Sequence, residues 1–321
     1  MLKGRVFSLF SFRWRVLRRR ASIAGLVLAL VAGLGVATTG PASAVQPIRS
    51  GPMIVGGTEL QFPGNTECTA GLVMVNTRLW NNITAYQRNT RYVLTAGHCG
   101  NVGDRVKVNN VDIGWVSWKP GPPDPSRPPG PGRPPGPGRP PHPVIPYPDM
   151  MMVQVKPTVN TTFHCHNERS GFHCLPIYHS APRAVGRVIT YQPRLRQFGA
   201  VPVETWQDDV PDNVNWFCTS GISTDFTCLW EKYQQLPPGV DIGPYRKAAR
   251  SLSSTAPPGD SGGPVFSDPN AGNANPNGVA FYGIVLGRFA PPAPENAMYY
   301  LPAGVFFTQW EWGQAYAVAP A

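Results

Sequence analysis

The chain has 321 residues, with 28 Lys/Arg against 18 Asp/Glu and a formal net charge of +10. Seven of the basic residues and none of the acids lie in residues 1–20, so beyond residue 44 the balance is 21 to 18, or +3. A near-neutral remainder argues against a nucleic-acid binder, which needs a basic face, and its roughly 275 residues are enough for one larger unit or two small domains with a real core.

In chain order, the basic start runs into an apolar segment from about Ile23 to Ala37 and then Pro41-Ala42-Ser43-Ala44. This is the three-part pattern of a signal peptide, residues 1–44, and its apolar run is shorter than the ~20 residues a membrane span prefers. All six cysteines follow it, an even number that suits an oxidising, extracellular compartment. Short apolar runs bounded by Gly, Pro and Asn predict strands: Ala70–Val75, Val106–Val108, Val185–Ile189 and Val279–Leu286. After the apolar Tyr92-Val93-Leu94 comes Thr95-Ala96-Gly97-His98-Cys99-Gly100, which offers His98 as a base.

Residues 119–146 interrupt this pattern. Arg127-Pro128-Pro129-Gly130-Pro131-Gly132 is repeated over 133–138 and begins again at Arg139. Proline fixes φ and removes a donor, so the tract favours polyproline II or extended coil over sheet. It reads as a solvated spacer, with a docking arm for a proline-recognising partner as the sharper alternative. An acid then opens an apolar strand at Tyr147-Pro148-Asp149-Met150-Met151-Met152-Val153. His164-Cys165-His166 and His173-Cys174 gather imidazoles and thiols within eleven residues. Zinc would need four of them to converge; in an exported chain a disulfide hairpin is the preferred reading, with no metal and no cofactor.

Gly259-Asp260-Ser261-Gly262-Gly263-Pro264 is the most informative stretch. A serine hydroxyl is a weak nucleophile until a base takes its proton. The glycines let the backbone bend and present the N–H groups of Gly259 and Ser261 to the oxyanion of an acyl-transfer intermediate. Gly259-x-Ser261-x-Gly263 also fits a nucleophile elbow, but that fold places its histidine after the serine. Histidines 98, 142, 164, 166, 173 and 179 all precede Ser261, which leaves the order His, Asp, Ser. The tail, residues 304–317, has the length and composition of a terminal helix.

With these motifs the chain resembles the chymotrypsin-like serine proteases, in the style of the secreted bacterial streptogrisin-like branch. Thr95–Cys99 looks like the family's histidine motif, Asp149-Met150-Met151-Met152-Val153 its aspartate motif and Gly259–Pro264 its serine motif. Cys218 to Cys228 looks like the disulfide loop of the second barrel, and Ile54-Val55-Gly56-Gly57 is similar to the mature N-terminus. The resemblance implies an all-β fold of two six-stranded antiparallel Greek-key barrels with a C-terminal helix. Residues 54–157 would form the first barrel, 158–197 a linker with a disulfide hairpin, and 198–321 the second barrel and helix. His98 would be the general base, Asp149 would orient it, and Ser261 would carry the acyl group. Asp104 and Asp112 are rival acids, but at 6 and 14 residues past His98 they leave little room for intervening strands.

The resemblance also implies Cys68–Cys99 and Cys218–Cys228, with Cys165–Cys174 as a local staple. Relatives carry a further bridge just ahead of the serine; here Ser253 to Pro258 has no cysteine, and Pro257-Pro258 would stiffen that wall. Thr255, Pro258, Leu286 and Gly287 fall at substrate-binding positions. Thr255 replaces the pocket acid of trypsin-like enzymes, which argues against strong Arg/Lys preference, while Arg288 near the pocket mouth is a candidate for acidic side chains. Met151 and Leu286 replace smaller family residues beside the aspartate. Asp260 would bind a buried cation: either the ammonium of Ile54, freed by removing residues 45–53 as a short propeptide, or an arginine, as in bacterial relatives.

The expected function is a secreted, monomeric serine endopeptidase acting on peptide or protein substrates. The alternative is an inactive homologue that binds a partner, through the proline-rich tract among other routes. Non-peptidase acyl hydrolysis is a third possibility.

Overall fold

Burial along the strands separates one-sided from two-sided sheet. Arg105–Val108 alternates exposed and buried residues, the period of a strand with one wet face. Met150–Val155 and Val279–Arg288 are buried almost throughout, and both lie in the middle of their sheets. These patterns come from a computed structural model, which describes residues 48–121, 147–168, 171–271, 278–289, 294–309 and 313–321. The segment read as a signal peptide and nearly all of the proline-rich insertion lie outside them.

Two large sheets make up the fold. The first has eight strands in open order: Tyr316–Val318, Leu72–Asn76, Arg91–Ala96, Met150–Val155, Val111–Trp118, Arg105–Val108, Glu59–Phe62 and Thr66–Thr69. The second contains a ring of six strands, Val279–Arg288, Pro264–Ser267, Phe217–Gly221, Asp225–Lys232, Lys247–Ser251 and Ala297–Pro302, closed by pairing of the last with the first. Ring closure removes strand edges, and its interior is filled by Phe217, Trp230, Val265, Tyr282, Met298 and Tyr300. Gln197–Trp206, Ala184–Gln192 and Ile54–Gly56 extend the ring into a nine-stranded sheet. One closed barrel and one half-barrel give a chymotrypsin-like, all-β architecture.

The ends of the chain exchange sheets. Ile54–Gly56 pairs in parallel with Ala184–Gln192 in the second sheet, while Tyr316–Val318 pairs with Leu72–Asn76 in the first. A cut at residue 157 therefore separates neither sheet cleanly. Among its described residues the tail is α-helical only over Ala303–Phe307, followed by a 3-10 turn at Gly313–Ala315 and the strand Tyr316–Val318. A longer helix would leave the edge of Leu72–Asn76 unpaired, and the strand covers that edge instead.

Among the described residues Thr158–Glu168 and Gly171–Ala181 pair only with each other, as an antiparallel ribbon. An isolated ribbon is marginal in water; the Cys165–Cys174 disulfide staples this one, and Asn89 Nδ2 donates to the Ser180 carbonyl at its base (2.8 Å).

Candidate active site

His98 sits in a 3-10 turn, Gly97–Cys99, at the end of the buried strand Arg91–Ala96. Asp149 directly precedes the neighbouring strand Met150–Val155, whose register pairs Ala96 with Met150 and Thr95 with Met151. Adjacent strand ends thus bring residues 51 apart in sequence together, with His98 Nδ1 2.8 Å from Asp149 Oδ2. Gly97 permits the approach, because a Cβ there would lie 2.8 Å from Asp149 Oδ1 and from the Met150 nitrogen. Met151 is fully buried in the core and leaves this contact intact. Asp104 instead accepts from the Asn101 N–H (2.7 Å), and Asp112 pairs with Arg105 and Lys156.

Burial alone would raise the Asp149 carboxyl. Hydrogen bonds from the His98 ring and backbone, with the charges of His98 and Arg246, outweigh it and hold the group below its ordinary value of 3.8. Arg246 belongs to a segment that also lines a small cavity of about 160 Å³ beside Asp149, together with Tyr147, Ile242 and Tyr245. A larger cavity of about 710 Å³, lined by Glu204, Trp216 and Tyr282 among others, holds none of the motif residues.

Ser261 lies in the loop between Lys247–Ser251 and Pro264–Ser267 on the ring and is 9 % exposed. Gly259 and Gly262 adopt φ of 98° and 86°, the left-handed region that glycine tolerates. At Gly262 a side chain would also strike Thr69 and Thr95. Among the described residues the amides of Gly259 and Ser261 donate to no protein acceptor, so both are available to an oxyanion. The Ser261 hydroxyl donates to the Leu286 carbonyl at 3.3 Å, and no hydrogen bond joins it to His98.

Thr69, on the first sheet, clasps this loop. Its N–H donates to the Ser261 carbonyl (2.8 Å), and its hydroxyl donates to the Gly259 carbonyl (2.7 Å) while accepting from the Ile222 N–H (3.2 Å). Cys68, the preceding residue, is bonded to Cys99, the residue after His98. One short strand, Thr66–Thr69, is therefore fastened to both the histidine turn and the serine loop. Thr69 escaped the sequence analysis; its adjacency to Cys68 is the only local signal.

Asp260 is 3 % exposed and points away from Ser261 into a polar nest. It accepts from the N–H groups of Ser223 (2.8 Å) and Thr224 (3.2 Å) and from the Thr224 hydroxyl (2.6 Å). These donors come from the turn of the hairpin Phe217–Gly221/Asp225–Lys232, which the Cys218–Cys228 disulfide closes. Burial raises the Asp260 carboxyl, opposed by those hydrogen bonds and by the charge of Arg49. Arg49 is completely buried; it donates to the Gly57 carbonyl (2.8 Å) and the Ser220 hydroxyl (3.2 Å) and pairs with Asp225 (3.2 Å). Ile54, by contrast, lies inside a strand with its N–H donating to the Arg183 carbonyl (2.9 Å). Arg49 thus lends its charge to Asp260 with no ion pair between them among the described residues, and it precedes Ile54 in the chain.

Thr255 is half-buried, Pro258 exposed and Gly287 half-buried, while Leu286 packs into the core. The Pro258 carbonyl accepts from the Ser223 hydroxyl (2.6 Å). In place of a disulfide ahead of the serine, the buried Ser251 hydroxyl accepts from the N–H groups of Ser253 (3.3 Å) and Ser254 (3.2 Å), and Asn296 Nδ2 donates to the Ser251 carbonyl. The cysteine-containing clusters Cys68/His98/Cys99 and Cys218/Cys228/Asp268 have their sulfurs committed to disulfides.

The half-barrel sheet carries the His98–Asp149 pair and the closed barrel carries the serine loop, in a chymotrypsin-like two-barrel fold. Among solved structures the chain is similar to a Nocardiopsis protease (17 % identity, 83 % of this chain and 98 % of that one, TM-score 0.47). It is also similar to a glutamic acid-specific serine protease described as using a histidine triad in substrate binding (16 %, 83 % and 100 %, TM-score 0.47). A third is kallikrein-related peptidase 10 (15 %, 81 % and 95 %, TM-score 0.34). No protein-family model matches the chain, and no curated protein matches it.

Proposed function

We propose that this chain is a secreted serine endopeptidase that forms an acyl-enzyme on Ser261. The observation that carries the reading is the His98–Asp149 contact of 2.8 Å on one sheet, with two uncommitted amides flanking Ser261 on the other. In the proposed reaction the Ser261 oxygen attacks the peptide carbonyl carbon as its proton passes to His98 Nε2. Asp149 holds Nδ1–H and stabilises the imidazolium. The amides of Gly259 and Ser261 receive the negative oxygen. Collapse breaks the C–N bond as His98 protonates the leaving amine, and water then hydrolyses the ester by the same route.

Before attack, Ser261 must turn from the Leu286 carbonyl towards His98 by rotation about its Cα–Cβ bond. That resting contact is what favours the second reading, an inactive homologue that binds a partner. Thr255, Pro258, Leu286 and Gly287 are the proposed substrate-contacting positions, with no acid to select Arg or Lys. Maturation would leave Arg49 in the chain, so the active form starts upstream of it and not at Ile54. The proline-rich tract serves as a spacer.

Exposure of the secreted, N-terminally sequenced protein to a fluorophosphonate probe tests this. Labelling of the wild type that disappears in both Ser261→Ala and His98→Ala is the expected result. A folded protein that begins upstream of Arg49 and takes no label would establish the binding homologue instead.

A further inference from the structure

The ribbon Thr158–Glu168/Gly171–Ala181 has two unlike faces. Its register sets Cys165 opposite Cys174, Phe163 opposite Pro176 and Thr161 opposite Tyr178. Side chains alternate between the faces of a strand, and directly opposed residues share a face. The disulfide therefore shares its face with Phe163, Phe172, Pro176 and Tyr178, while Glu168 and the ribbon's four histidines lie on the other. Phe163, Phe172 and Tyr178 are 67–69 % exposed. The helix Ala85–Asn89 sits at the base of the same face: Asn89 Nδ2 donates to the hydroxyl of Ser180 (2.9 Å), which alternation places beside Tyr178. Leading into that helix, Leu79, Trp80 and Ile83 are 66–85 % exposed. Neither the disulfide face of the ribbon nor residues 79–86 carry a charged side chain.

We infer that this uncharged surface, the disulfide face of the ribbon together with residues 79–86, is where a second copy of the chain docks about a two-fold axis. Its size is the first reason. At roughly 150–250 Å² for each large side chain, the exposed parts of Phe163, Phe172, Tyr178, Leu79, Trp80 and Ile83 come to roughly 800 Å² per chain. The largest apolar patch on a monomer is about 300–600 Å², whereas a stable interface takes about 800 Å² from each partner. Charge is the second reason. A two-fold contact sets a surface against itself, so a charge near the axis would meet its like. This face has none, and it offers no handle to a charged partner. Shape is the third. Eleven residues in each strand, at about 3.3 Å apiece, make a ribbon roughly 36 Å long. With two such ribbons stacked in opposite directions, Phe163 lies near the axis and the Phe172 end of each reaches Leu79, Trp80 and Ile83 of the other copy. The Cys165–Cys174 bond lies between Phe163 and Phe172 and keeps the strands that present them in register. A dimer then replaces the monomer expected from the sequence, and it uses no residue of the candidate active site.

The test uses the secreted chain carrying Ser261→Ala to prevent self-digestion, followed by sedimentation equilibrium over a hundredfold range of concentration. The mass should be twice that of the chain and fall to the monomer on dilution. Phe163→Ser, Phe172→Ser and Trp80→Ser should each weaken the dimer tenfold or more. Leu175→Ser and Ile177→Ser, exposed on the histidine face of the same ribbon, should stay within twofold. Thermal midpoints and circular dichroism separate loss of contact from loss of fold. A photo-cross-linker that keeps the aromatic side chain, Phe172→p-benzoylphenylalanine, should join two chains and map to residues 79–86 of the other copy. The dimer is refuted if the parent chain is monomeric at every concentration, or if the Leu175 and Ile177 variants weaken it as much as the other three. It is refuted too if the cross-link stays within one chain and maps to residues 119–146, which would make the proline-rich tract the occupant of this face.

Discussion

His98 is held by a single carboxylate contact with its side chain 45 % exposed, whereas the Ser261 loop on the ring is buried and gripped from several directions. Thr69 holds the loop from the first sheet, the Val285 backbone pairs with Gly262 and Gly263, and Asp260 is anchored to Ser223 and Thr224. A group that passes protons between partners needs solvent access and freedom to tilt. A pair of amides meant for a transient oxyanion must not reorganise when the charge appears. Fragility therefore lies in different places: the serine side depends on a network of buried hydrogen bonds, and the histidine side on one hydrogen bond and one disulfide.

Arg49→Met should break that contrast most. It strands the buried Gly57 carbonyl and Ser220 hydroxyl and removes the partner of Asp225, a combined loss of about 4 kcal/mol at about 1–3 kcal/mol per unsatisfied buried group. Equilibrium denaturation should show the loss. An unchanged midpoint for Arg49→Met would mean that the serine loop does not depend on the buried cation.

On the histidine side, replacing Cys68 and Cys99 by serine opens a loop spanning 31 residues. The expected cost is about 3 kcal/mol, on the scale of disulfide loops of this size. Probe labelling of Ser261 should fall more steeply than stability, because this bond ties the His98 turn to Thr69. Equal falls in the two readouts would make the bond a general staple only.

Thr69→Val sharpens the comparison from the other side. It keeps the shape but strands the Gly259 carbonyl and the Ile222 N–H, a loss of about 1–2 kcal/mol. The labelling rate should drop while the His98–Asp149 pair, followed by its downfield imidazole proton resonance, stays as in the wild type.

The smallest effect is a pH dependence. The folded Asp149 carboxyl lies below its ordinary value of 3.8. Its contribution to stability is therefore present above the unfolded value and is lost as pH falls through the lower folded one. The stability gap between wild type and Asp149→Asn should be steady at neutral pH and shrink on acidification below about pH 4. A gap that widened with acid would reverse the assigned direction.

Legibility followed the distance between partners. Thr95–Cys99 and Gly259–Pro264 could be read directly, because each packs nucleophile or base, turn glycines and flanking strand into six residues or fewer. The short apolar runs foretold sheet for the same reason, since alternation and turn residues are local. Thr69 and Gly259 are 190 residues apart, and Arg49 and Ser220 are 171 apart. Nothing beside an isolated threonine or arginine announces such partners. The composition of the tail permits a longer helix, and only the free edge of Leu72–Asn76 makes Tyr316–Val318 a strand.

By itself, then, the sequence determined the class of architecture, the chemistry of the motif residues and their order along the chain. These rest on backbone preference and side-chain type, which act over a few residues. Tertiary structure decided which donors hold Asp260, which threonine holds the serine loop, which sheet each chain end joins, and which face of the ribbon its histidines share. Each of those depends on burying a polar group or a strand edge against a partner far away in sequence, and burial is a property of the whole fold.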